Sequence, residues 1–435
     1  MWSRHFSARV LVPVLACLLL LAGLPARRAD AERVYLDITA SEVRKVVVAV
    51  PAFVDKKGSD ATGRRGLRMA ELLGRALDFH GFVRVLDPAR YGGLQDADWK
   101  KLQADYVVRG SYELDGNRLT VEGRLYDVAE DRLLAGRRYR GLARQQDDMV
   151  LRFADALVEE FTGEPGISRT SIAYVSDDTG YKEIYISDVL GRTRRQVTRH
   201  RHLCVSPRFT PDGNFLAYTT YHHGNQDLYI TDLRQNRITR PLSRRKGMNL
   251  APAFSPDGKT MVLTLSKDGN PDLYLLDRRG RILGRLTRGE GINVSPSFSP
   301  DGKSLVFVSD RSGRPQLYIM DMASRKVRRL TFQGVENSEP SWSPKGDRIA
   351  YTSLVDGHYQ IFTIDPAGGT PRQVTTAWGK YESPTWSPDG RQIAFSRSRN
   401  GHSEICAALA NGKDLRVLFK LKGNQSYPQW SPRPR

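Results

Sequence analysis

The residue types that could do chemistry are few in this 435-residue chain. His200/His202 and His222/His223 are the histidine pairs that could begin a zinc site, but neither has a third ligand at a useful spacing. Asp177-Asp178 could touch a calcium ion, which needs more oxygens than this pair supplies. A serine hydrolase would require a G-x-S-x-G elbow with a following Asp and His. Gly401-His-Ser-Glu-Ile405 comes nearest and ends in isoleucine. Residues 32–166 contain no glycine-rich phosphate loop and no metal-ligand pair. Three cysteines, Cys17, Cys204 and Cys406, are too few for a disulfide scaffold or a thiolate cluster. The expectation is a chain with no catalytic residue, no metal and no cofactor.

What remains is recognition, and its candidates recur at a fixed period. Pro207-Arg-Phe-Thr-Pro-Asp-Gly returns as variants beginning at Pro252, Pro296, Pro340 and Pro384, with a truncated sixth copy at Pro428. The spacings are 45, 44, 44, 44 and 44 residues. Three more short apolar elements follow each motif, as in Leu305-Val-Phe, Leu317-Tyr and Leu330-Thr. Four β elements per 44 residues with Asp-Gly turns is the pattern of a propeller blade. The array starts at Ile172 without a motif strand and ends on a lone motif strand, so Pro428–Pro432 is expected to complete the first of six blades. The loop entering each motif opens on the channel mouth. Asn249, Asn293 and Asn337 each lie three residues before the motif proline; each could close a local side-chain turn, or together a ring of amides could read a peptide backbone. Glu339, Glu382 and Tyr427 occupy the same entering loops and complete the expected mouth site.

Three segments position these loops. Arg4 and Arg9, an apolar run from Val10 to Leu24 and the small-x-small triplet Ala29-Asp30-Ala31 read as a secretory signal peptide, cleaved after Ala31. Residues 32–166 read as a small mixed α/β domain. Its expected helices are Leu67–Phe79 and Met149–Phe161, and Asp115-Gly116-Asn117 is a hairpin turn. Residues 167–435 form the all-β, WD40-like (PD40) propeller, so the fold class is α+β. Residues 32–166 carry 22 basic against 23 acidic side chains, whereas residues 167–435 carry 41 against 24. That excess reads first as a solvated, solubilising rim and, as a functional alternative, as attraction to acidic partners or an anionic envelope surface; export disfavours nucleic acid.

A signal peptide, a small α/β domain, the junction Phe161-Thr-Gly-Glu-Pro-Gly-Ile-Ser-Arg-Thr-Ser-Ile-Ala-Tyr174 and the P-x-[FW]-S-P-D-G repeats together resemble the TolB family, periplasmic propeller proteins of the Tol–Pal envelope system. The resemblance covers essentially the whole mature chain. It implies a non-enzymatic periplasmic adaptor, peripheral to the outer membrane at most and monomeric. Such an adaptor binds the lipoprotein Pal at the propeller mouth, and other envelope proteins are further candidate partners. It implies that the mature N-terminus, headed by Glu32, Arg33, Val34, Tyr35, Leu36 and Asp37, engages TolA. It also implies support of outer-membrane integrity and of invagination during cell division. Two rivals are a peptidase-gating propeller, which lacks its hydrolase elbow here, and a carbohydrate-binding propeller. The second would stack sugar on Trp378, Tyr381 and Tyr427.

Overall fold

The computed structural model describes residues 44–434 except 61, 94 and 236–238. The expected signal peptide and the segment Glu32–Asp37 lie outside the described residues.

A β-branched run, Val46–Ala49, forms β1, and Val54–Asp55 forms β2. Arg64–Asp78 is α1 and Val83–Val85 is β3. Three long strands follow: β4 (Tyr106–Asp115), β5 (Arg118–Asp127) and β6 (Arg132–Leu142). The chain then enters α2, Gln146–Thr162, which ends on Gly163 at φ 74°. The sheet order is β3-β1-β4-β5-β6, with β2 paired to β4. β1 runs parallel to both β3 and β4, while β4–β6 form an antiparallel meander. Both helices cover one face, burying Met69, Leu73, Leu77, Phe153 and Leu157 against Val48, Val108 and Val121. α1 begins three residues before its expected start because Gly63, at φ 63°, turns the chain into it.

Six four-stranded sheets follow, each ordered from inner to outer strand along the sequence. The first blade is the exception. Its inner strand is Gln425–Trp430, which pairs with Ser171–Ser176, so the two ends of the array close one sheet. The local chemistry of the motif explains its recurrence. In Ser255-Pro-Asp-Gly258 the Asp257 carboxylate accepts from Ser255 Oγ at 2.6 Å and from the Lys259 amide at 3.0 Å. Gly258 takes φ 68°, a conformation open to glycine without steric cost. The aromatic residue at the third motif position bridges blades: Trp386 Nε1 donates to Ser341 O of the preceding blade at 2.9 Å. The aspartates that end the third strands cap turns, as Asp188 does by accepting from the Leu190 and Arg192 amides.

The α/β domain packs against the Pro-Asp-Gly turns of the propeller. Phe79 O accepts from Arg416 Nη2 at 2.7 Å and from Gln392 Nε2 at 3.2 Å. Arg75 Nη2 donates to Leu190 O at 3.0 Å, and Glu164 lies 3.6 Å from Lys345 and 3.7 Å from Arg391. Antiparallel pairing puts the loops that enter the motif strands at the other end of each blade. The described part of the α/β domain therefore leaves the mouth open.

His80 sits inside this junction, 1% exposed. Its Nδ1 faces Ala76 O at 2.8 Å, and its Nε2 accepts from the Ile167 amide at 3.1 Å, so the neutral ring fits. Burial lowers its pKa to about 4, opposed by Asp389 and supported by Arg391 and Arg416. A base whose folded pKa is depressed loses stability as pH falls from its unfolded value near 6.5 toward 4. Asp155 acts in the opposite sense. Burial raises its pKa to about 6, so its penalty fades as pH falls from 6 toward 3.8. Thermal melts across pH 7.5 to 4 should show His80→Leu flattening the acid-side loss and Asp155→Asn steepening it. Parallel profiles for both variants would exclude these two groups as the titrating pair.

Candidate functional site: the propeller mouth

The mouth is built from the first residues of six inner strands, and each of these strands carries the same irregularity. The residue before the motif proline adopts a left-handed conformation: Ser206 (φ 54°), Ala251 (51°), Ser295 (53°), Glu339 (52°), Ser383 (58°) and Tyr427 (51°). Pairing with the second strand shifts register at that point in every blade. Such a bulge turns one side chain out of the ladder. Strained, non-glycine positive φ is held only where the surroundings over-determine it. Three of the six positions are small hydroxyls and one is alanine, so the blades carrying Glu339 and Tyr427 stand apart chemically.

Glu339 accepts from Thr352 Oγ1 at 2.9 Å and from both the amide and hydroxyl of Ser383, at 2.7 and 2.9 Å. It thus spans blades five and six. Glu382, next to Ser383, has its pKa raised by burial and then by the charge of Glu339. Tyr359 OH donates to Glu336 Oε1, and this hydrogen bond raises its phenol to about 12. Burial followed by the charges of Glu339 and Glu382 raises Tyr427 as well. One sector of the mouth therefore gathers three carboxylates and two phenols. Within the channel, Arg208 Nη1 donates to Pro207 O at 3.0 Å; burial lowers its pKa while Glu339 opposes. Below the bulges the channel encloses about 340 Å³, lined by the motif strands from Arg208 to Gln429.

The loops that enter the motif strands of blades two, four, five and six expose apolar side chains. Phe332 is 74% exposed and Trp378 61%, and Leu203, Ile292 and Val335 are exposed as well. Large exposed apolar groups grouped on one face mark an interaction surface. Trp378 was expected at the mouth as a sugar-stacking aromatic, whereas reasoning from the motifs alone missed Phe332, Leu203, Ile292 and Val335 together with Arg208 and Glu336. The available signal was an apolar residue recurring just ahead of the motif in otherwise polar loops.

The three asparagines do not belong to this surface. Asn249, Asn293 and Asn337 are completely buried, and their Nδ2 groups all donate inside the ring. Asn293 Nδ2 donates to Asp272 Oδ1 and Gly291 O, both at 3.0 Å, while its Oδ1 accepts from Arg311 Nη2 at 2.8 Å. Asn337 Nδ2 donates to Gln316 Oε1 and Gln333 O, both at 2.8 Å. Asp272 and Gln316 lie on third strands of the preceding blades, so these amides staple neighbouring blades together. Asn249 instead holds its own entering loop through Arg245 O, Gly247 O and Ser243 Oγ. A fully buried, hydrogen-bonded amide cannot present donors to a partner, and the expected amide ring is corrected accordingly. Cys204 takes the same position in blade two. Its thiol faces Glu183 at 3.7 Å, and burial pushes it up to about 12, which makes it inert. Cys406 is also buried and free.

The histidines form a stack rather than a ligand set. His200 and His222 lie 4.4 Å apart between ring centroids at 15°, and His222 and His223 lie 3.9 Å apart. Among the described residues, no group of three His, Cys, Asp or Glu side chains is arranged to hold a metal.

The fold is that of a propeller protein: a closed six-bladed ring with an accessory α/β domain on one face and a mouth with one acidic sector on the other. The family model for the TolB beta propeller domain matches residues 158–434, and that for the TolB amino-terminal domain matches residues 34–134. The chain belongs to the TolB family. It is 48% identical over 210 residues to the Tol-Pal system protein TolB of Desulfotalea psychrophila, covering 48% of each chain. It is 39% identical over 236 residues to that of Desulfosudis oleivorans, covering 52% of this chain and 54% of the relative. These matches span about half the length of the curated relatives. The crystal structure of TolB from Acinetobacter baumannii superposes with a TM-score of 0.79 at 27% identity, covering 90% of this chain and 97% of that one.

Proposed function

We propose that this chain is a non-enzymatic adaptor of the Tol–Pal system that docks a Pal-like lipoprotein domain on the propeller mouth. The observation that carries the reading is the mouth itself, where the entering segments of blades five and six carry Glu336, Glu339 and Glu382 together with exposed Phe332, Val335 and Trp378. Apolar anchors beside a charged sector suit a folded protein partner better than a small molecule. The same reading gives export by a signal peptide cleaved after Ala31, a mature α/β domain over 32–166, periplasmic residence and support of envelope integrity during division. It assigns binding of a TolA-like protein to the segment beginning at Glu32.

Calorimetry against the cognate Pal-like domain tests the docking site. Glu382→Lys and Phe332→Ala should each weaken binding roughly tenfold or more, because a reversed charge or a lost anchor at an interface costs on the order of 2 kcal/mol. Wild-type affinity in both variants would remove the mouth from consideration. Deletion of residues 32–41 should abolish capture of a TolA-like domain and leave the melting temperature nearly unchanged; retained capture would refute that role.

A further inference from the structure

A second recess, away from the mouth, encloses about 490 Å³ where α1, the turn before α2 and the third-to-outer turn of blade one meet. We propose that this recess binds a phosphate group carried on a larger ligand. Five guanidiniums line it: Arg65, Arg68 and Arg75 from α1, Arg144 from the turn before α2, and Arg192 from the propeller. Only Glu71 and Asp147 oppose them within the lining. Arg192 Nη1 donates to Asp147 Oδ2 at 2.7 Å and accounts for that carboxylate. Arg65 Nη1 donates to Gln146 Oε1 at 2.7 Å and Arg75 Nη2 to Leu190 O at 3.0 Å. These neutral acceptors fix the two side chains without cancelling their charge. Arg68 and Arg144 are exposed and make no ion pair among the described residues.

The cluster is not a by-product of a basic chain. Residues 32–166 carry 22 basic and 23 acidic side chains, yet four of the arginines in this one recess come from that segment. Arg65, Arg68, Leu72 and Arg75 share one face of α1, where neighbouring like charges repel and destabilise a helix. An occupant of opposite charge would relieve that repulsion. A phosphate monoester brings about −1.5 to −2 charge and three strong acceptor oxygens, so it can engage several guanidinium forks at once. A single carboxylate would leave most of the positive charge uncompensated. The recess is larger than one phosphate, and Leu72 and Ala143 give it an apolar side, which leaves room for a sugar or a lipid glycerol.

The mature full-length chain would be titrated with pyrophosphate by calorimetry. It would also be sedimented with phosphatidic acid vesicles, whose headgroup is a phosphate monoester, with phosphatidylcholine vesicles as the reference. The Arg68→Glu/Arg144→Glu variant should lose at least tenfold in affinity for whichever probe binds. Arg279→Glu/Arg325→Glu, on exposed turns of blades three and four, should stay within twofold of wild type. Saturable pyrophosphate binding without vesicle preference supports a soluble phosphate ester, and preference for phosphatidic acid supports a lipid headgroup. Binding of neither probe, or equal loss in the two variants, overturns the proposal. Circular dichroism and melting curves on both variants separate lost binding from lost folding.

Discussion

Trp430→Ala should cost this protein about 4 kcal/mol of stability, the range for emptying a buried tryptophan site. Trp430 is 3% exposed and sits on the strand that joins the two ends of the array. Its indole Nε1 donates to Thr170 Oγ1 at 2.8 Å, and its ring lies 6.2 Å from Phe79 of the α/β domain. Around it pack Ile172, Tyr174 and Ile405, which belong to blades one and six. One side chain therefore holds the seam of the ring, the neighbouring blade and the domain junction. Chemical denaturation gives the measurement, with Trp378→Ala as the comparison. Trp378 is 61% exposed on an entering loop, and its removal should stay within about 0.5 kcal/mol of wild type. An unfolding free energy for Trp430→Ala within about 1 kcal/mol of wild type would mean that the ring is sealed elsewhere.

Asn293→Ala should be nearly as damaging, at about 2–3 kcal/mol, because it strips a donor from a buried carboxylate. Asp272 is completely buried and accepts from Asn293 Nδ2 at 3.0 Å, Thr287 Oγ1 at 2.6 Å and Arg285 Nη2 at 2.5 Å. The same change also removes the acceptor of Arg311 Nη2. Asn337→Ala should cost less, about 1 kcal/mol, since its acceptor Gln316 is uncharged. The informative pairing is stability with affinity. If the asparagines staple blades, Asn293→Ala lowers the denaturation midpoint and leaves the affinity of the folded fraction for a mouth-bound partner unchanged. A large affinity loss at unchanged stability would restore them as ligand-reading groups.

These two residues show where the sequence was readable. Trp430 was legible because the motif repeats: a lone inner strand at the end and a missing one at the start have a single economical arrangement. Asn293 was legible as a recurring position, but its direction was not. Its partner lies 21 residues earlier, on another blade. The sequence does record that partner, since Glu183, Asp227, Asp272, Gln316, Gln360 and Glu404 precede the third element in every blade. A polar residue recurring at the head of a strand whose next residues are buried signals an internal hydrogen-bond partner. It can be recognised as such only when the blades are placed side by side.

The repeat period, the blade count, the closure and the α/β elements follow from local rules. Hydrophobic spacing, Asp-Gly turns and strand length act over a few residues, and six near-identical copies average out the error in any one. The mouth did not follow from such rules. Which side chain a bulge turns outward, which carboxylates meet across neighbouring blades and which arginines converge beside α1 depend on residues far apart in the chain. Those distances exist only after the ring has closed and the α/β domain has settled on one of its faces.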